Sequence, residues 1–145
     1  MVPRTSRHSV VATSSGRLAF SVSVRDHVVS TDQPSRVGGD DSAPTPLELL
    51  SASLASCIAL YVHKFCETNS FVTTGFAVEV KPLWKEEPGR IARFDVILHV
   101  PDTIPPMHYM AIEEVARTCP VHNTLTHMPD IAVQLQALAA AGTPG

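Results

Sequence analysis

Alternation of apolar and polar residues marks both ends of the chain, and one long apolar segment separates them. Residues 9–12 and 18–25 alternate with the period of two that a half-buried strand requires, and Gly16 between them suits a turn. Residues 27–30 continue as a short third strand. Residues 31–45 are rich in Gly, Pro, Asp and Ser and predict a long loop, a feature that in compact domains is often functional. Thr45, Pro46 and Glu48 are a helix start signal. The hydroxyl caps, the proline sits where no N–H is needed, and the acid at the third position completes a capping box. The predicted helix runs from Pro46 to about Thr68. Between Leu49 and Val62 it has almost no polar side, and a helix apolar all round must be enclosed all round. One small domain does this poorly, so a second subunit is expected.

Residues 71–84 and 90–100 read as strands, joined by a hairpin turn at Glu87, Pro88 and Gly89. Pro105 or Pro106 opens a helix through Met110, Ile112 and Val115 that ends near Thr118. A short helix follows over 119–126, and residues 131–137 alternate cleanly as a closing strand. Strands, helix, strands, helices, strand is the order of an α+β fold, not of a doubly wound parallel sheet. Nothing marks a linker or a repeat, and residues 1–145 are expected to form one domain.

Composition narrows the function. Apolar residues make up 44% of the 145 and charged residues 17%, enough to build a core, and the net charge is −3. No run of Lys or Arg exists, so nucleic acid is not an expected partner. The unbroken apolar run at 58–62 is far short of a bilayer, so no membrane partner is expected either. The basic N-terminal stretch, Met1 to His8, lacks the apolar core of a signal peptide, and a cytoplasmic location is expected. Three cysteines in a reducing compartment then point to catalysis, metal binding or plain packing rather than a disulfide framework.

Two of the three have informative surroundings. Cys57 lies mid-way along the apolar helix. Cys119 stands directly before Pro120, where a new helix can start and where the partial positive charge of a helix terminus favours thiolate. Cys57 alone could be a small core residue, since free Cys is often buried. Together the two suggest a redox pair assembled by the fold. Cys66 is rotated about 180° from Cys57 on the same helix and is expected to be inert packing.

The chain resembles the OsmC/Ohr family of thiol-dependent peroxidases, and is nearest in wording to its OsmC-like branch. The residues that carry the resemblance are Asp32-Gln33-Pro34, Gly38-Gly39-Asp40, Pro44 to Leu50, Ala52, Leu54, Ala55 and Cys57, then Cys119-Pro120-Val121 and Leu125; it spans about residues 18–138. The resemblance implies an intertwined homodimer in which antiparallel sheets wrap central helices. It implies that Cys57 attacks an organic hydroperoxide and becomes a sulfenic acid, that Cys119 closes a disulfide with it, and that a small thiol or lipoyl-type dithiol reduces that bond. It also implies an arginine that steadies the thiolate; Arg36 is the nearest candidate, with Arg25 or Arg17 as alternatives. No cofactor and no resident metal are expected.

One position departs from the family. An acid usually follows the helix-opening proline; here Leu47 stands there and Glu48 comes one residue later, a rotation of about 100°. Glu48 is therefore both a candidate catalytic acid and, more simply, a helix cap. The departure favours an alternative function, a non-enzymatic protein that holds a small apolar ligand at the dimer interface. A zinc reading of His63-x-x-Cys66 and Cys119-x-x-His122 has ligand-like spacing but lacks short knuckles. The Gly38-Gly39 pair is no phosphate loop and is expected where the chain needs positive φ. Trp84 is expected to pack in the hairpin.

Overall fold

The computed structural model describes residues 8–139. Most of the basic N-terminal stretch, and the end of the expected domain, lie outside the described residues. β1 (Val10–Gly16), β2 (Ala19–Val24) and β3 (His27–Thr31) form an antiparallel meander in that order, with Ala12 opposite Val22 and Val22 opposite Val29. A loop with a 3₁₀ turn at Ser35–Val37 leads to α1 (Pro46–Thr68). β4 (Ala77–Lys85) and β5 (Arg90–His99) make a separate antiparallel hairpin, followed by a 3₁₀ turn (Pro106–His108), α2 (Tyr109–Ala116) and α3 (Pro120–Thr126). The fold is α+β.

The core is narrow. Along α1, Leu54, Ile58, Val62 and Cys66 are buried, four residues apart each time, so they form one stripe on the helix. Ile104, Ile112, Ala116 and Cys119 close over that stripe from the other side. Each fully buried aliphatic side chain contributes about 2 kcal/mol. The rest of α1 stays open: Leu47 and Leu60 are exposed. By length and apolarity this helix would pass for a membrane span, which the short unbroken run at 58–62 did not indicate.

The N-terminal sheet is more open still. Val10, Val11, Val28 and Val29 are exposed, and the sheet makes no substantial packing contact with a helix of its own chain. The accessible surface is 11490 Å², against roughly 7,000 Å² for a compact monomer of this mass.

Two expectations are corrected. The closing strand at 131–137 does not form: the segment joins no ladder, and Ile131 is 85% and Leu138 93% exposed. A strand needs a neighbouring edge, and this one leaves α3 without meeting an edge of its own chain. The strand expected from Phe71 begins at Ala77 instead. Gly75 at φ 84 and a turn in which the Phe76 N–H donates to the Thr73 carbonyl interrupt the extension. Trp84 does lie across the hairpin turn against Gly89, although it stays largely exposed.

Candidate functional site

The loop between β3 and α1 is organised by one buried carboxylate. Asp32 accepts hydrogen bonds from the backbone N–H groups of Gln33 (2.7 Å), Asp40 (3.1 Å) and Ser42 (3.1 Å), and from the Ser42 hydroxyl (2.7 Å). The Ser42 backbone and hydroxyl, then the Gln33 N–H, favour the charged form over the penalty of burial and hold its pKa at about 2. Gly38 takes the positive φ expected of the pair, at 97°. Gly39 is needed for a different reason: a Cβ there would sit 1.8 Å from the Gln33 carbonyl oxygen. The Asp32-Gln33-Pro34 and Gly38-Gly39-Asp40 motifs are thus two halves of one loop.

That loop delivers the chain to the capped start of α1. The Thr45 N–H donates to Glu48 Oε2 at 2.8 Å, and the Glu48 N–H donates to Thr45 Oγ1 at 3.2 Å. The Glu48 carboxylate is engaged in the cap. Arg36 is exposed on the 3₁₀ turn, and its guanidinium makes no hydrogen bond or ion pair with a described residue. Arg17 is tied to Asp40 at 2.9 Å. Arg25 holds a positive-φ position between β2 and β3.

Cys57, half-buried on α1, packs against the core cluster that contains Cys119, near enough to bear on the titration of that thiol. Both are free thiols. Cys119 is fully buried at the N-cap of α3, where its Sγ accepts from the His122 N–H at 3.2 Å. The sign of its titration differs from the sequence expectation. Burial pushes the thiol up; the N–H groups of His122 and Val121 pull it down, and the neighbouring Cys57 adds to the rise. The net shift is upward, so Cys119 is held as a thiol. Cys66 is buried on the core stripe, where desolvation raises it too.

An apolar groove of about 1100 Å³ runs between α1, β5 and the two short helices. Leu47, Leu50, Leu54 and Ile58 line one wall, Phe94 and Val96 another. Leu47, the residue after the helix-opening proline, is therefore part of the apolar lining. His122 also faces the groove, and its Nδ1 is buried without a hydrogen-bond partner. Sequence reading raised His122 only as a metal ligand. Its place in the first turn after a Cys-Pro helix start was the available signal for a role beside Cys119. Among the described residues no group of three or more His, Cys, Asp or Glu gathers in a metal-binding arrangement. His63 pairs with Glu67 at 3.3 Å instead.

Residues 39–134 match the family of OsmC-like proteins. The fold is similar to a solved osmotic stress induced and detoxification response protein, so called putatively, from Psychrobacter arcticus. That likeness has TM-score 0.75 and 22% identity, and covers 85% of this chain and 91% of that one. It is similar also to an OsmC-like protein from Mycoplasma pneumoniae (TM-score 0.66, 16% identity, 85% and 89% covered). A third is an organic hydroperoxide resistance protein OsmC from Legionella pneumophila (TM-score 0.56, 18% identity, 83% and 91% covered). No curated protein matches the chain in sequence.

Proposed function

Because the chain belongs to the OsmC-like protein family, we propose that it is a thiol-dependent peroxidase that reduces organic hydroperoxides through Cys57 and Cys119. The observation that carries this reading is the placement of two free thiols in one cluster, one half-buried and one fully buried, near enough that Cys57 raises the Cys119 thiol. The Legionella pneumophila protein of similar fold, named for organic hydroperoxide resistance, supports the reaction class. Cys57, the more accessible thiol, attacks the peroxide as thiolate. The O–O bond breaks, Cys57 becomes a sulfenic acid, and the alkoxide takes a proton to leave as the alcohol. Cys119 then displaces water from the sulfenic acid to form the disulfide. An external dithiol returns both thiols by exchange and is itself oxidised to its disulfide. Arg36, unpaired among the described residues, is the candidate to steady the Cys57 thiolate, with Arg25 as the alternative; Arg17 is held by Asp40. The apolar groove suits an alkyl or lipid hydroperoxide.

The working form is a homodimer. The uncovered side of α1, the bare N-terminal sheet, the apolar segment beyond α3 and an accessible surface of 11490 Å² support it. A partner that covers these faces makes an apolar helix of spanning length compatible with a soluble protein.

Peroxide consumption with a dithiol reductant tests the activity. The wild type is expected to consume an alkyl hydroperoxide, and Cys57→Ser to lose the activity entirely. Cys119→Ser should retain the first oxidation but accumulate sulfinic acid at Cys57, read by intact mass. If Cys57 stays reduced under peroxide while Cys66 or the methionines oxidise, the peroxidase reading is wrong. A second reading rests on the groove and on Leu47 within its lining: a protein that holds a small apolar ligand without turnover. It predicts that a fluorescent fatty acid binds wild type and Cys57→Ser equally, with no peroxide consumed.

A further inference from the structure

The proposed resolving step poses a problem that the thiol pair does not solve. Cys119 must lose its proton to attack Cys57, yet it is fully buried and its neighbours leave it a thiol. The adjacent turn holds a base. His122 sits in the first turn of α3, and its backbone N–H already contacts the Cys119 sulfur at 3.2 Å. Its imidazole Nδ1 is buried and unpartnered, while the residue also lines the groove. A buried polar atom without a partner is uncommon and asks for a reason.

We propose that His122 is the proton relay of Cys119, carrying the thiol proton between the buried sulfur and the groove. This rests on the redox-pair reading above. In the step, the Cys119 S–H proton passes to the imidazole through one water, as the S–S bond forms and the Cys57 S–O bond breaks. The imidazolium returns that proton to the departing hydroxide, so the products are the disulfide and water. No further oxidant or reductant enters. In the reverse direction the protonated ring meets the Cys119 thiolate released when a dithiol opens the disulfide. The charged groups that share the groove with His122 are Arg90 and Arg93 on β5, Glu113 on α2 and Arg117 just after it; the α1 wall, Leu47 to Ile58, contributes none. Arg93 is paired with Asp95, and Arg117 with Glu113. Cys119 is the titratable group at the start of His122's own helix.

An aromatic disulfide that releases a coloured thiolate tests the relay without peroxide. Cys57 attacks it first and releases one thiolate. Cys119 then attacks the Cys57 sulfur of the mixed disulfide and releases a second, while intact mass follows loss of the aryl adduct. In the wild type the second phase should rise with pH and level off once the relay is fully in its base form. His122→Gln and His122→Asn should slow it about 100-fold. Its rate should then climb about tenfold per pH unit with the thiolate fraction, and the ratio of second-phase to first-phase rate should fall accordingly. A second phase indifferent to His122, or a wild-type profile that climbs tenfold per unit through pH about 8, overturns the relay. The wild-type profile decides the matter even if the variants do not fold. Should the second phase depend on His122 while peroxide is not consumed, the relay stands and the peroxidase reading falls. If peroxide is consumed and the second phase ignores His122, the relay alone falls. A wild-type mixed disulfide that never closes removes both.

Discussion

Asp32 and Cys119 are both buried titratable groups at the start of a turn, and the fold shifts their proton affinities in opposite directions. Asp32 collects three backbone N–H groups and a hydroxyl, and these outweigh burial and hold its pKa at about 2. Cys119 has the His122 and Val121 N–H groups, and burial beside a second thiol outweighs them. The first site is closed within its own loop and needs nothing more. The second is held as a thiol, in the same turn as an imidazole nitrogen without a partner. A satisfied buried group organises structure; an unsatisfied one marks where chemistry remains to be done.

The sharpest way to break the closed site is steric. Gly39→Ala places a Cβ 1.8 Å from the Gln33 carbonyl oxygen, backbone against backbone, so the loop must open to accept it. We expect a loss on the order of 3 kcal/mol in urea unfolding, with the donors of Asp32 partly lost. Gly38→Ala strains a φ of 97° but meets only the end of Leu18 at 3.7 Å, and should cost about 1–2 kcal/mol. Equal losses at the two glycines would mean that close approach is not what Gly39 supplies.

Titration separates the two buried groups by sign. The folded pKa of Asp32, about 2, lies below the unfolded value of about 3.9. Its contribution is therefore fully present above pH about 4 and is lost as pH falls through about 2. Cys119 is shifted the other way. Its contribution is present below the unfolded thiol value, about 8.5, and declines above it, where only the unfolded chain ionises readily. Thermal unfolding across pH should thus fall at both ends. Asp32→Asn should flatten the acid limb and Cys119→Ala part of the alkaline limb, where Cys66, also raised by burial, contributes as well. An acid limb unchanged by Asp32→Asn would show that the loop does not depend on that carboxylate's charge.

Much of this contrast was hidden in the sequence, for a physical reason. Local signals read well: the alternation of β1 and β2, the Thr45–Glu48 box and the Cys-Pro start of α3 each involve residues within a few positions. What depended on distant partners did not. Asp32 was visible as part of a motif, but its role requires Asp40 and Ser42 to return to it. The helix start at Cys119 suggested a lowered pKa, because burial by Ile58 and Ile112 is not written beside it. Residues 131–137 alternate like a strand, yet alternation does not name the edge that would receive them. Of the candidate site, the two cysteine motifs were legible through the family resemblance, while the unpartnered His122 imidazole in the same turn as Cys119 was not.

The uncovered half of α1 allows a milder comparison. Ile58 is buried within the chain and Leu60 is about half exposed. Ile58→Ala should cost about 3 kcal/mol at any protein concentration. Leu60→Glu should leave the single chain's packing intact but weaken self-association, seen as a sedimentation shift toward monomer and a concentration-dependent melting temperature. If Leu60→Glu changes neither, the exposed side of α1 is not where a second copy binds.

The smallest expected effect decides what Glu48 is for. Its carboxylate accepts from the Thr45 N–H, and a glutamine keeps an oxygen at that position. Glu48→Gln should cost only about 0.5 kcal/mol, the share owed to a negative charge in the first turn. Thr45→Ala, which removes the reciprocal bond to the Glu48 N–H, should cost about 1 kcal/mol. If Glu48 serves the cap alone, the rate at which Cys57 is oxidised by an alkyl hydroperoxide will follow neither change. A tenfold fall in that rate for Glu48→Gln, with helix stability almost intact, would instead mean that the acid acts on the peroxide despite its rotated position. The cap would then be its resting place between turnovers. The two substitutions differ in which half of the box they break, so comparing them separates a helix that has lost its start from a thiol that has lost its acid.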